Sequence, residues 1–313
     1  MVLAGISLAS LHAQPAQADA TATPVLKAAP PAQVEPAEAK SEGLPASAEN
    51  VWKDIPITNS MLVTWIVAIG LILFARSATK NIKQVPDGAQ NFWELLVEGL
   101  YTFLEEITGS ELIKKSFWFF ATIFIFICFT NWFGLIPGVG TIGRGHDLPG
   151  GGFVVDHPAL RGGNADLNMT SAMAIIFMVL WLFWALQSNG IWGFILHIFG
   201  PKGESQGAMK IAMIVIFFCV GLIEMMSIAF RPISLSFRLF GNIFAGENLL
   251  EAMSNVIQHP AWAKAVFSTV LPIPFYFMEL LVGFVQAIVF MLLTAGFTAV
   301  ICMHDDPHSK EHH

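Results

Sequence analysis

The stretch Ser234-Leu-Ser-Phe-Arg238-Leu-Phe-Gly-Asn-Ile-Phe-Ala-Gly-Glu247 sets an arginine and a glutamate inside a segment that is otherwise strongly apolar. That segment covers residues 208–256 and is interrupted only by Pro232. An ionisable side chain at the centre of a membrane helix costs about 2.5–3.5 kcal/mol on insertion scales, so it is kept where function needs it. The stretch therefore predicts a long membrane helix that carries functional charges.

The composition of the whole chain supports a membrane protein. Of its 313 residues 55% are hydrophobic and only 12% are charged, against about 25% charged residues in soluble proteins. The net charge of −7 offers no basic surface, which excludes nucleic acid as a partner. Cys128, Cys219 and Cys302 are far apart in apolar runs, so they match neither a metal site nor a disulfide framework. We expect an all-α polytopic membrane protein.

Five apolar runs are long enough to cross a membrane: 57–75, 116–136, 167–187, 208–256 and 262–303. At 1.5 Å per residue the last two would be roughly 70 and 60 Å long, about twice the ~30 Å hydrocarbon thickness. Either each of these two is broken into two spans, or both run strongly tilted and form a hairpin at His259-Pro260. The prediction adopted is upright spans followed by two long tilted helices that form a hairpin.

Two further segments have different patterns. Residues 89–115 interleave aromatic and aliphatic residues with five glutamates, which predicts an amphipathic helix on the cytoplasmic interface or against a partner. A plain connecting helix is the alternative. Residues 137–165 are rich in Gly and Pro and predict a loop on the opposite side.

The domain organisation follows from the two ends of the chain. An apolar stretch at residues 2–11 precedes Ala16-Gln17-Ala18, a pattern suited to signal peptidase. We therefore expect a signal peptide over 1–18, a flexible periplasmic segment over 19–56, a membrane domain over 57–303 and a cytoplasmic tail over 304–313.

Cationic residues give the same orientation independently. Arg76, Lys80 and Lys83 follow the first span, and such residues stay on the cytoplasmic side. The N-terminus is therefore expected in the periplasm and the C-terminus in the cytoplasm, in a bacterial inner membrane. A mitochondrial inner membrane is the alternative, although the arginine-poor leader makes a poor transit peptide.

The ionisable residues of the membrane helices are concentrated in the last third of the chain. Glu224, Arg231 and Arg238 are seven residues apart and share one helix face, whereas Glu247 lies half a rotation further round. Structural alternatives remain: buried ion pairs for Glu251 and Lys264, and snorkelling of Arg231 and Lys264 to the interface.

At this point the residues resemble a known family. Residues 234–247 resemble the signature of subunit a of F-type ATP synthases. Asp166-Leu-Asn168-Met-Thr170 resembles the motif that opens the family's fourth helix, and Asn131-Trp-Phe-Gly-Leu-Ile-Pro137 resembles the end of its third. Gln286 lies where the family has a glutamine on its last helix. The resemblance covers about residues 57–303.

The resemblance implies a role in a larger machine. Subunit a sits beside a rotating ring of c subunits, within a complex that also contains the peripheral-stalk subunit b, and it lies in the lipid bilayer. Two half-channels lead protons to the ring, while ATP is made on other subunits, so this chain is not itself expected to be an enzyme or to need a cofactor or metal. In the family the choice between H⁺ and Na⁺ rests mainly with the c subunit.

The resemblance also assigns candidate site residues. Arg238 matches the arginine that faces the ring, and Glu247 and Glu279 match the polar pair of the periplasmic half-channel. Some relatives have histidine at one of the pair, whereas both positions are Glu here. Further candidates are polar residues of the two half-channels: Gln286, Glu224, Asn242, Asp166 and Asn168. For Asp166 and Asn168 a helix cap is an equally good reading.

Competing functions are less consistent with the residues. A secondary transporter predicts inverted repeats, and no repeat is visible. An intramembrane hydrolase needs a nucleophile beside a base, and Ser234 and Ser236 have none in their segment. Gly138-Val-Gly140-Thr-Ile-Gly143 follows a membrane span, not a strand, so it is not read as a nucleotide site. The histidine-rich tail is read as a solvated segment in preference to a metal site.

We predict cleavage after Ala18, since the A-x-A pattern follows an apolar stretch. Mass spectrometry of the purified subunit should find a mature N-terminus at Asp19, and a reporter fused there should be active in the periplasm. An intact Met1, or a reporter active in the cytoplasm, would contradict the prediction.

Overall fold

The computed structural model describes residues 48–52, 55–136, 138–147, 153–200, 208–256 and 261–302. The expected signal peptide, the turn at His259-Pro260 and the histidine-rich tail lie outside these residues. So does most of the segment expected to be flexible, although its last residues form a strand pair.

Within the described residues, helices dominate. They are α1 (Asn59–Thr79), α2 (Gly88–Thr108), α3 (Ser110–Gly134), α4 (Leu167–Phe199), α5 (Ala208–Ser254), α6 (Ala261–Val270) and α7 (Ile273–Cys302). Five described stretches are long and apolar enough to span a membrane: α1, α3, α4, most of α5, and Val266–Cys302, which joins the end of α6 to α7. This confirms the expected all-α polytopic architecture.

Two short antiparallel hairpins, which the sequence did not predict, lie between the helices. Strands β1 (Asn50–Trp52) and β2 (Ile55–Thr58) precede α1, and β3 (Gly143–Asp147) pairs with β4 (Phe153–Pro158) between α3 and α4. The first span therefore begins two residues later than expected, because Ile57 and Thr58 belong to β2. The Thr58 hydroxyl caps α1 by accepting a hydrogen bond from the Met61 amide at 3.3 Å.

A glycine separates the amphipathic helix from the span that follows it. The sequence placed this boundary near residue 115, but α2 ends at Thr108 and α3 begins at Ser110. Gly109 lies between them with φ of 76°, a conformation that glycine adopts without the steric cost of a Cβ. One face of α2 packs on the bundle through Leu100 and Leu104, while Leu95 stays exposed.

The sequence left open whether the two long segments of the last third are each broken into two. Helix α5 is continuous through Pro232, so it is not broken into two spans. The second long segment is divided at Leu271-Pro272 into the short α6 and the spanning α7. Helix α4 extends beyond the predicted 167–187, with a kink at Gly190, where φ is 67°.

Helix α3 lies at the centre of the bundle and is the most buried of the spanning helices. Its Asn131 donates a hydrogen bond to the Gly283 carbonyl of α7 at 2.9 Å and accepts one from Asn164 at 2.7 Å. Trp132 donates to the Leu280 carbonyl at 3.2 Å. These hydrogen bonds fix α7 and the loop before α4 against α3.

Helices α5 and α7 run antiparallel in contact. Gly246, near the end of α5, lies against the Glu279 side chain near the start of α7. Earlier on α5 and later on α7, the guanidinium of Arg231 lies 4.5 Å from the ring centroid of Phe297. Helix α5 is thus one long helix as expected, whereas its partner is the shorter α7, since Leu271-Pro272 divides the second long segment. The antiparallel contact places Glu247 of α5 level with Glu279 of α7.

Candidate functional site

The first site lies at the end of the bundle that carries the β3–β4 hairpin. Here Nε of Arg161 lies 3.2 Å from Oε2 of Glu247. The Arg161 side chain is only 5% exposed and the Glu247 side chain 14% exposed, so this is a largely buried ion pair. Its partners come from the loop before α4 and from α5, which it ties together.

Glu279 from α7 completes this group of acids. Its side chain is buried, and its carboxyl lies so close to Gly246 that a Cβ added there would collide with it. Since Gly246 precedes Glu247, the two acids occupy the same level of the bundle. Oε1 of Glu279 has no hydrogen-bond partner within the described residues. We call Arg161, Glu247, Glu251 and Glu279 the loop-side site.

A cavity of about 340 Å³ opens beside the loop-side site. Arg161, Glu247 and Glu251 line it, together with residues of the loop and of α6 and α7. Oε2 of Glu251 is buried and has no hydrogen-bond partner within the described residues. A roomy cavity lined by charged groups is one that water can fill.

Arg238 lies on α5 between Glu224 and Glu247. Unlike Arg161 and Arg231, it is not paired with a glutamate within the described residues. It is exposed, and within the described residues it makes no ion pair or hydrogen bond. Its surface neighbours Ile233 and Phe237 are large apolar side chains that are also exposed. Among the residues that the structure describes, this cation on an apolar face has no counter-charge.

The second site lies in the middle of α5, beside the end of α7, and we call it the far-end pair. Nη2 of Arg231 lies 2.8 Å from Oε1 of Glu224, which is seven residues earlier on the same helix. The guanidinium also lies over the rings of Phe297 and Trp181, at 4.5 and 5.5 Å. Arg231 is therefore held inside the bundle, which corrects the expectation that it could snorkel. A cavity of about 250 Å³ adjoins the pair and is also lined by His197.

The remaining predicted residues have different surroundings. Oδ1 of Asp166 accepts a hydrogen bond from the Asn168 amide at 3.0 Å, which is the capping geometry that the sequence left open. The Asn168 side chain is exposed, whereas Asn242 and Gln286 are half-buried on α5 and α7. The structure thus brings Glu247 and Glu279 together and keeps Glu224 with Arg231 at the far end.

Sequence reasoning missed Arg161. It lies in the Gly-rich loop, 86 residues before its partner Glu247, so no helical spacing connects the two. The one available signal was an arginine isolated among glycines just before the Asp166 motif. The side chain of Lys264 lies outside what the structure describes, and so does the alternative of a buried ion pair there.

These features define a class: a polytopic membrane protein with acids at two levels of one long helix and an unpaired arginine between them. The family model for the ATP synthase A chain matches residues 61–299. The chain is 32% identical to ATP synthase subunit a of Desulforamulus reducens over 80% of its own length and 81% of that protein. It is 30% identical to the subunit of Gloeobacter violaceus (80% and 86%) and 33% identical to that of Geobacter sp. M21 (75% and 83%).

The chain belongs to the ATP synthase subunit a family. The resemblance carried by residues 234–247 is confirmed. Members of this family are the non-catalytic membrane subunit of the F-type complex, so the expectation that this chain is not itself an enzyme is also confirmed.

We predict that Gly246→Ala slows ATP-driven proton pumping by the assembled complex, as Glu279→Gln would. The added methyl meets the Glu279 carboxyl, the end of a flexible side chain, so it displaces that group without distorting the backbone. Gly70→Ala on α1 is the matched control, because a Cβ there meets nothing within 4 Å. Fluorescence quenching in inverted vesicles measures the rate. Equal pumping by both variants and the parent would contradict the prediction.

Proposed function

We propose that this chain supplies two aqueous half-channels and the ring-facing arginine that couple proton flow to ATP synthesis. The observation that carries the proposal is the contrast between Arg238 and the two arginines that lie beside the acids of α5. Arg161 and Arg231 each pair with a glutamate of this chain, whereas Arg238 is exposed and unpaired within the described residues. A charge left uncompensated on an apolar face is matched to a carboxylate of another subunit, here the c-ring.

An arginine suits this position for a physical reason. A guanidinium stays charged even where burial would neutralise a lysine. A fixed cation attracts each arriving ring carboxylate in its deprotonated form. It also opposes the direct passage of protons between the half-channels. A cavity of about 250 Å³ adjoins Arg238 and leaves its side chain room to move.

The loop-side site supports a periplasmic half-channel. Glu247 lines a cavity beside the loop, and Glu279 lies at the same level of the bundle. Carboxyls change charge readily, which suits them to passing a proton. Asn242 and Gln286, half-buried on the same two helices, supply further polar positions toward Arg238. Asp166 and Asn168 act on this route by shaping the start of α4.

The far-end pair supports the cytoplasmic half-channel. Glu224 is about half exposed and lies fourteen residues before Arg238, roughly 21 Å along the helix by the α-helical rise. Glu247 lies nine residues beyond Arg238, roughly 14 Å in the opposite direction by the same rise. The arginine thus separates two acid sites that reach different ends of the bundle.

The same proposal orients the chain. The loop-side end faces the periplasm and the far end faces the cytoplasm of a bacterial inner membrane, in agreement with the cations after α1. The exposed apolar side chains of the spanning helices then contact lipid, the c-ring and subunit b.

We predict that Arg238→Ala abolishes proton-driven ATP synthesis while the complex still assembles, because ring carboxyls then pass protonated and protons leak. Arg238→Lys should also fail largely, since an ammonium loses its proton when desolvated and lacks the planar fork. Synthesis and passive proton flux are measured together in liposomes containing the complex. Arg144→Ala, at an exposed arginine of β3, is the control and should behave as the parent.

Near-normal ATP synthesis by Arg238→Ala would show that this arginine has only a structural role. A loss of synthesis without any rise in passive proton flux would contradict the fixed-charge mechanism.

A further inference from the structure

Arg161 has an unusual position for a loop residue. Its side chain is 5% exposed, less than most apolar side chains of the spanning helices, and it is directed at α5. A guanidinium is buried at a cost that only good partners offset. The partners are therefore informative about what the residue does.

Two partners of Arg161 lie on one face of α5. Glu247 provides the carboxylate at 3.2 Å, and the ring of Phe244, three residues earlier, lies 5.7 Å from the guanidinium carbon. Residues three apart are neighbours on a helix surface. One guanidinium thus contacts a carboxylate and an aromatic face at once, which fixes its orientation better than a single ion pair would.

The backbone of the loop is fitted to the same carboxylate. A Cβ added to Gly162 would lie 2.6 Å from Oε1 of Glu247 and 3.6 Å from Cα of Gly134. A Cβ on Gly134 would in turn lie 3.1 Å from Cα of Gly162. These glycines let the loop pass between the end of α3 and α5. Arg161 and Gly162 therefore enclose the Glu247 carboxylate from two directions.

The anchor of the loop is independent of Glu247. Asn164 bonds to Asn131 of α3 at 2.7 Å, and Asp166 caps α4. Asn59 of α1 donates to the Pro158 carbonyl at 3.1 Å, just before the loop. Helices α1, α3 and α4 therefore fix the segment that carries Arg161, so the position of Arg161 does not depend on Glu247.

We propose that Arg161 is a positioning residue of the loop-side half-channel, which acts through Glu247 by holding its carboxylate in one orientation between the cavity and Glu279. The proposal rests on the proposed function, because it assigns Glu247 to the proton route. It adds a residue of the loop to a path otherwise formed by the helices α5 and α7.

The test is a double-mutant cycle on ATP-driven pumping in inverted vesicles, with each rate divided by the amount of assembled complex. Arg161→Gln should slow pumping about ten-fold, within the range of measured couplings between contacting residues. Arg161→Lys should recover part of the rate, since it keeps the charge. Arg161→Gln combined with Glu247→Gln should be no slower than Glu247→Gln alone. Arg144→Gln, an exposed arginine in the same connection, should pump as the parent does.

Normal pumping by Arg161→Gln would overturn the proposal, as would a double variant slowed by the product of the two single effects. If Arg161→Gln does not assemble, the double variant, which leaves no unpaired buried charge, is compared with Glu247→Gln, and a slower double variant overturns the proposal. Normal pumping by Glu247→Gln would instead contradict the proposed function, so the two failures are distinguishable.

Discussion

The uncompensated charge of Arg238 is the constraint on which the rest of the structure depends. A cation on an apolar helix face is costly unless another group neutralises it, and within the described residues none does. Arg161 and Arg231, the two arginines that lie beside the acids, are each paired with a glutamate, so acids of this chain do compensate cations elsewhere in the bundle. The proposal that a carboxylate of another subunit neutralises Arg238 follows from this exposed position.

The antiparallel pairing of α5 and α7 sets acids on both sides of Arg238 along the bundle. It brings Glu247 and Glu279 to one level at the loop side and leaves Glu224 with Arg231 at the other end. The loop between α3 and α4 then closes over the first site through Arg161. Helix α3 holds this arrangement by hydrogen bonds from Asn131 and Trp132 to carbonyls of α7. Packing in the core therefore sets the geometry of the acids.

Local sequence signals predicted the spans and most of the site. Long apolar runs indicated the five spanning stretches, and the family resemblance pointed to Arg238, Glu247 and Glu279. Boundaries failed where a backbone angle decides them, as at Gly109 and Gly190, because apolar periodicity carries no information on φ. Arg161 was missed for a different reason, since its contact with Glu247 exists only after folding. The cap at Asp166 was left open because a carboxylate before an apolar run fits either role.

The measurement that tests the two-route account most directly is thiol accessibility from each side of the membrane. Cys128, Cys219 and Cys302 would first be replaced by serine. Glu251→Cys and Glu224→Cys are then treated separately, in the assembled complex, with a membrane-impermeant maleimide in right-side-out and inverted vesicles. The account predicts labelling of Glu251→Cys only from the periplasmic side and of Glu224→Cys only from the cytoplasmic side. Labelling of both from the same side would contradict it.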